Sequence, residues 1–259
     1  MKAMSSREQV GCLPGRTIAF RTEILREVID EFMTETFMGI HKEVSDDRSL
    51  TNLTLKLGYK TVMQDSSVVY TDAPLTWKKF IRQQLRWAEG SQYNNLKMFG
   101  WMSKNARLSG FIYWTDMLMP FILVATYVNM ILGSIFNFSA SNVPYLTTAD
   151  AWYVVLPLMY LGCIISFGTR QIKVFKKQPF YYILLIPFFL LFLSLVMTPI
   201  RIIGLCRCAD GMGWGTRELG ENTHSAKSGN KKYRALMRVG VILGILFFCA
   251  LSVCIEILL

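Results

Sequence analysis

The chain has 259 residues, a hydrophobic fraction of 52%, a mean hydropathy of +0.32 and a formal net charge of +10. That apolarity lies above the usual range of soluble domains. Residues 1–76 carry nine Lys/Arg against eleven Asp/Glu, so the basic excess belongs to the apolar remainder, where it points to anionic headgroups or an anionic substrate and away from nucleic acid.

Met1 to Val10 contains no apolar run, so no secretory signal is read there and the N-terminal part is expected in the cytosol. After the turn Leu13-Pro14-Gly15, Thr17 to Phe20 reads as a short strand. Arg21 to Phe32 has helical spacing, with Ile24, Leu25, Val28, Ile29 and Phe32 on one side. In SDDRSLTNLTLKLGY, Ser45 or Asp46 can cap a helix whose Leu50, Leu53 and Leu57 fall at i, i+3 and i+7, and Gly58 ends it. Residues 60–70 read as a strand pair or a strand with a turn. These strands are too few for an independent α/β sheet.

From about Thr76 to Met98 a further helix is predicted. At 100° per residue Trp77, Phe80, Ile81, Leu85 and Ala88 cluster on one face, while Lys78, Lys79, Arg82, Gln83 and Arg86 point the other way and Trp87 sits on the border. Such a helix lies in a membrane interface with its basic side toward the cytosol.

Residues 111–136 are apolar for long enough to span a bilayer, as are 151–168 and 237–259. The segment joining the first two has no Lys or Arg, whereas 77–107 carry seven and 170–177 carry four, which places residues 1–110 and 169–178 on the cytosolic side. Residues 179–205 form a fourth apolar run, interrupted by Pro187 and Pro199. If it spans, the following loop, 206–236, faces outward, although 201–238 carry eight Lys/Arg against three acids. The run is therefore read as a broken interfacial or re-entrant helix that returns to the cytosol, the alternative being a Pro-kinked spanning helix. Six cysteines are scattered, and the close pair Cys206-x-Cys208 lacks the spacing and His partners of a zinc site, so they are read as structural or inert.

Three polar clusters stand out against this background. Gln83, Arg86 and Trp87 fall at i, i+3 and i+4 and share one patch of the amphipathic helix, although an ordinary basic surface helix would look the same. Asp46 and Asp47 begin a helix, where the dipole favours their ionised form; this suits capping as well as general-base work. Gly213-Trp214-Gly215-Thr216-Arg217 lies in the basic loop 206–236, where Thr216 and Arg217 suit a phosphate oxygen, or the stretch is a glycine-rich turn.

Taken in order, Asp-Asp-Arg-x-Leu-Thr-Asn, then Gln-x-x-Arg-Trp, then Trp-Gly-Thr-Arg between apolar segments resembles the membrane-embedded processive family-2 glycosyltransferases, the hyaluronan, chitin and cellulose synthases, with the hyaluronan branch nearest. The resemblance implies an α/β C-terminal part of a glycosyltransferase A-type domain over 1–75, holding the acceptor side and catalytic base. An interfacial helix with QxxRW over 76–105 and an α-helical transmembrane region then follow. Asp47 matches the general base that deprotonates the acceptor hydroxyl, and Asp46 its acidic neighbour. Gln83, Arg86 and Trp87 match the acceptor- and nucleotide-binding motif, with Trp87 stacking on the acceptor sugar and Arg86 on the diphosphate. Trp214, Thr216 and Arg217 match a gating loop over the nucleotide. Tyr113, Trp114 and Tyr127 are candidates for a polymer path or for interface anchors. Ser45 departs from the glycine usual in hyaluronan synthases.

The implied reaction is inverting transfer from a UDP-sugar to a growing polysaccharide that is extruded across the plasma membrane, with Mg2+ or Mn2+ on the diphosphate. The family's donor half carries an Asp-x-Asp pair for that metal, and no Asp-x-Asp occurs in this sequence. The metal ligands are therefore expected outside this chain, which resembles a C-terminal half: a fragment, a split-gene product working with a separate donor-binding polypeptide, or an inactive remnant. The other class of reading is a polytopic membrane protein, without catalysis, that binds anionic lipid or protein partners through its basic helix.

Overall fold

The computed structural model describes residues 2–42, 45–64, 66–136, 157, 160–162, 164–165, 168, 179–210 and 230–258. Its elements are α1 (Lys2–Ser5), α2 (Thr22–Met33), β1 (Thr36–Phe37), β2 (Ile40–His41), α3 (Asp46–Lys56), α4 (Trp77–Asn105), α5 (Arg107–Phe136), α6 (Tyr181–Leu184), α7 (Ile186–Arg207) and α8 (Lys231–Leu258). Two compact units result: one contains Met1–Phe121 and Ile200–Gly244, the other Ile122–Pro199 and Ile245–Leu259.

In the first unit, α2 buries Ile24 and Val28, one turn apart, and ends where the Thr34 hydroxyl donates to the Asp30 carbonyl at 2.8 Å. An antiparallel hairpin follows, Thr36 opposite His41 and Phe37 opposite Ile40, closed by Met38 and Gly39 with φ of 51° and 74°. Two central residues with positive φ match the right-handed twist of the strands, which is why glycine stands in the turn. The sequence contains no alternating run here, so the hairpin is not foreseen from it.

The strand expectations need correcting. Thr17 to Phe20 is irregular, and the described residues of 60–70 form no strand pair: they make one parallel bridge, Thr61 to Gln9, and leave Val68, Val69 and Tyr70 exposed. β-branched residues without a neighbouring strand of matching length have nothing to pair with. Among the described residues the α/β expectation thus reduces to a mostly helical unit with one two-stranded hairpin.

α3 starts and ends close to its expected limits, with Gly58 beyond it at φ 85°. Its burial differs from the leucine stripe: Leu53 is buried, Leu57 is half exposed, and Ser49, Thr51, Asn52 and Thr54 are all buried. α3 is covered by α2 and α4, so polar residues that periodicity assigns to solvent face protein. Their hydrogen bonds make this possible. Ser49 Oγ meets Tyr93 Oη at 2.8 Å, Asn52 Nδ2 donates to Asn94 Oδ1 at 2.8 Å, and Thr51 Oγ1 accepts from the Leu13 N–H at 3.3 Å. Beside this layer Met4, Val10, Leu55, Met98, Met102, Ala106 and Tyr113 form the apolar core.

α4 begins within a residue of its expected start, capped by the Thr76 hydroxyl, which accepts from the Lys79 N–H at 3.3 Å, and runs past Met98 to Asn105, the end of the 76–105 segment. Its first turns are exposed at Trp77 and Ile81, and burial starts at Ala88. There the end of α7 approaches: a Cβ on Gly204 would lie 2.7 Å from the Ala88 Cβ and 3.0 Å from the Ala88 carbonyl carbon. Gly204→Val is therefore expected to cost about 1–3 kcal/mol by forcing the two backbones apart. Thermal denaturation in detergent measures this, and an unchanged midpoint contradicts the contact.

Three helical segments among the described residues are long and apolar enough to cross a membrane: Arg107–Val128 of α5, Ile186–Arg207, and Lys231–Cys254 of α8, with mean hydropathies of 1.5, 2.2 and 2.4. They contain most of the predicted runs 111–136 and 237–259, starting four and six residues earlier. The predicted run 151–168 lies largely outside the described residues. In 179–205 the helix is interrupted at Leu185, between α6 and α7, rather than at the prolines. Pro187 occupies the first turn of α7, where its missing N–H has no intrahelical partner to lose, and Pro199 sits within the continuous helix. In the second unit Tyr127 Oη donates to Ser194 Oγ at 2.7 Å, while Phe188, Leu191, Leu195 and Phe247 are exposed.

Candidate active site

Asp47 stands in the first turn of α3, with its carboxylate fixed by two backbone donors. Oδ2 accepts from the Gly15 N–H at 3.1 Å and Oδ1 from the Arg48 N–H at 2.8 Å. The turn Leu13-Pro14-Gly15 supplies the first donor, and the lack of a side chain matters, since a Cβ on Gly15 would lie 3.3 Å from the Asp47 Cβ. Ser45 precedes the helix in the left-handed region, φ 70°, and its side chain caps no helix N–H. A glycine at this position would adopt this conformation freely. Asp46 is exposed and Asp47 half-buried. One carboxylate is thus oriented and the other faces outward.

Arg48 runs the opposite way, into the unit. Its guanidinium lies 4.8 Å from the Tyr113 ring centroid and Nη2 donates to Asn95 Oδ1 at 2.5 Å. Asn95 Nδ2 donates to Asp116 Oδ2 at 3.3 Å, and Arg201 Nη1 pairs with Asp116 Oδ1. Pro120, four residues after Asp116, cannot donate to the Asp116 carbonyl, and Arg201 Nη1 takes that oxygen at 3.3 Å. A polar chain therefore joins the residue after Asp47 to an ion pair between two apolar helices. Asp116 is a lone acid near the start of the apolar run 111–136, and its spacing of four residues from Pro120 is the signal the sequence carries.

On α4, Gln83 and Arg86 are half-buried and Trp87 is 47% exposed. Trp214, Thr216 and Arg217 lie outside the described residues. Tyr113 is buried, its hydroxyl donating to the Gly11 carbonyl at 2.8 Å, so it serves packing in this unit. Trp114 packs on Phe99 with centroids 4.1 Å apart and donates from Nε1 to Ser103 Oγ at 3.2 Å.

Two residues past Trp87, Glu89 is only 2% exposed and pairs through Oε1 with Arg207 Nε at 2.9 Å. Oε2 makes no hydrogen bond among the described residues. Burial pushes the Glu89 carboxyl up to about 7, against the lowering effect of Arg207 and with a further push from Asp210. Since the folded value exceeds the ordinary one of 4.5, the folded form takes up the proton. The favourable contribution is complete below about pH 4.5 and is lost as pH rises through 7, a span on the order of 3 kcal/mol. Melting midpoints in detergent are expected to fall from about pH 5 to 8, and Glu89→Gln to flatten that slope. Equal slopes for the two proteins contradict the assignment. An acid within the basic helix QQLRWAEG was its visible mark. Burial also raises the thiol values of Cys12 and, to about 12, of Cys208. Both remain protonated at neutral pH.

An oriented carboxylate at a helix start, a Gln-Arg-Trp helix and three apolar helices match a known class. The family model described as "Glycosyl transferase family group 2" matches residues 1–203, and the chain belongs to that family. It is similar to Hyaluronan synthase 2 of Homo sapiens and of Xenopus laevis, 32% identical over 136 residues in each case, which is 49% of this chain and 23% of the relative. Hyaluronan synthase 3 of Gallus gallus is 31% identical over 136 residues, 49% of this chain and 22% of the relative. The aligned part thus spans less than a quarter of the length of these curated relatives.

Proposed function

We propose that the chain forms the acceptor side and catalytic-base side of a processive, inverting glycosyltransferase that builds a hyaluronan-like or chitin-like polysaccharide from UDP-sugars and passes it across the plasma membrane. The observation that carries this reading is the Asp47 carboxylate, half-buried at the start of α3 and aimed by the Gly15 and Arg48 N–H groups. A base so held needs no reorganisation to take the proton of an acceptor hydroxyl as that oxygen attacks the anomeric carbon and the UDP–sugar bond breaks on the opposite face. Trp87, exposed on α4, offers a ring on which an acceptor sugar stacks, with Gln83 and Arg86 on the same helix and the charge of Arg86 suited to the departing diphosphate. Trp214, Thr216 and Arg217, in the loop 206–236, complete the nucleotide side.

In this reading residues 1–75 and the first turns of α4 face the cytosol, α4 lies in the interface, and 179–205 returns the chain to the cytosolic side. Mg2+ or Mn2+ is expected of the complete enzyme. Among the described residues no group of three or more His, Cys, Asp or Glu comes together, and the Asp47 oxygens face N–H donors rather than a cation. These residues do not fit that ion, so its ligands and the donor site come from outside them, in the same or a separate polypeptide. The test is incorporation of labelled sugar from UDP-sugars by membranes holding this chain together with its donor-binding region. Polymer from the wild type and none from Asp47→Asn supports the reading. Binding to anionic vesicles without transfer, in the presence of that region, overturns it in favour of a non-catalytic membrane protein.

A further inference from the structure

A second charged cluster lies apart from Asp47 and was not foreseen from any motif. Lys42, 7% exposed, leaves the hairpin β1–β2 with its backbone N–H bound to the Glu35 carbonyl at 3.2 Å. Glu35 is itself tied to Lys97 of α4 at 2.7 Å, so the hairpin is anchored at its base. From there Lys42 Nζ donates to the carbonyls of Cys208 at 2.8 Å and Asp210 at 2.6 Å, and lies 5.7 Å from the Tyr93 ring. These carbonyls follow the last turn of α7, at the negative end of its dipole, and an ammonium group satisfies them. Glu89 holds Arg207 on the same turn, and Asp210 reaches past the following loop to Arg234 Nε at 2.7 Å on α8.

We propose that Lys42 is a positioning residue, assisted by Glu89: by capping α7 from a point five residues before Asp47, it fixes the Cys208–Asp210 segment against the acceptor side. A buried carbonyl, a part-buried one and a buried ammonium have few other ways to be satisfied, which makes the arrangement specific. A purely apolar contact at this place would tolerate many registers, whereas Lys42 accepts one. The chain leaving Asp210 then starts from a defined point relative to Asp47, so departure of the lysine is felt in transfer as lost orientation. This consequence for catalysis rests on the glycosyltransferase reading above; the capping itself does not.

Cys208, 1% exposed and with its thiol pushed to about 12 by burial, reports on the cap directly. In the full chain with its other five cysteines replaced, maleimide labelling of Cys208 is expected to be slow and to rise at least about tenfold in Lys42→Met through local opening. Lys42→Arg is expected to restore protection. Glu89→Gln, which keeps the shape of its side chain, provides the second variant and should raise labelling by about threefold or more. With the donor-binding region present, kcat for sugar transfer is expected to fall about tenfold or more in Lys42→Met at unchanged donor KM and to recover in Lys42→Arg. Labelling that stays slow in both Lys42→Met and Glu89→Gln overturns the cap. Faster labelling with unchanged kcat overturns the positioning role. A wild type that transfers no sugar removes the catalytic consequence together with the proposed function, while the thiol still decides the cap.

Discussion

Asp47→Asn is expected to abolish polymer formation, with a loss of at least ~10²-fold in the rate of sugar transfer, while the protein still inserts and folds. The amide has the shape of the carboxylate and retains one oxygen for the Gly15 or Arg48 N–H, so the first turn of α3 keeps its geometry. Turning an NH2 group toward the other N–H costs on the order of 1 kcal/mol, too little to unfold the unit. What disappears is the capacity to accept a proton from the acceptor hydroxyl. Asp46→Asn is the natural control, because Asp46 is exposed and its replacement removes a similar charge from the helix start. The measurement is labelled-sugar incorporation at matched protein level, with a melting curve for each variant. Equal polymer yield from Asp47→Asn and wild type would dismiss the base assignment; equal losses from both variants would reduce the pair to an electrostatic role.

The second large effect is expected at the Asp116–Arg201 pair. Asp116→Leu leaves the Arg201 guanidinium facing the freed Asp116-position carbonyl alone, between apolar helices, and deprives Asn95 of its acceptor. The pair is part-buried, its side chains 38% and 30% exposed, so removing one partner is expected to cost about 1–3 kcal/mol through the hydrogen bonds left unmade. Arg201→Leu is expected to cost a similar amount and to leave the carbonyl opened by Pro120 without its donor. The double variant Asp116→Leu with Arg201→Leu is expected to lose less than the sum of the single ones, since no isolated charge remains. Thermal stability of all three in detergent checks this; strict additivity would show that the two side chains act independently. If Arg48 depends on this chain through Asn95, the single variants also lower transfer while the double variant lowers it less in proportion to its stability.

How far these features were legible differs by kind. The helices α2, α3 and α4 and the terminator Gly58 follow from spacing and from local backbone chemistry, and the observed limits agree to within a few residues, with α4 running past Met98 to the end of the 76–105 segment. The apolar runs within α5 and α8 follow from length alone. The strands expected at 17–20 and 60–70 are local readings, which do not say whether a partner strand exists. The hairpin at Thr36–His41 carried no alternating pattern to find. In the site, the pair Asp46-Asp47 was visible, but which of the two is oriented depends on Gly15, 32 residues away.

The amino-acid sequence by itself determined the order of the elements, the apolar segments, the basic asymmetry and the motif residues, since each depends on neighbours within a few turns along the chain. Only the tertiary structure decided which polar residues are buried and what satisfies them. Ser49 and Asn52 meet α4, Arg201 meets the carbonyl that Pro120 leaves free, and Lys42 meets carbonyls 166 and 168 residues further on. A hydrogen bond or ion pair depends on a distance of about 3 Å between atoms, and for residues so far apart that distance is set by packing rather than by any local propensity.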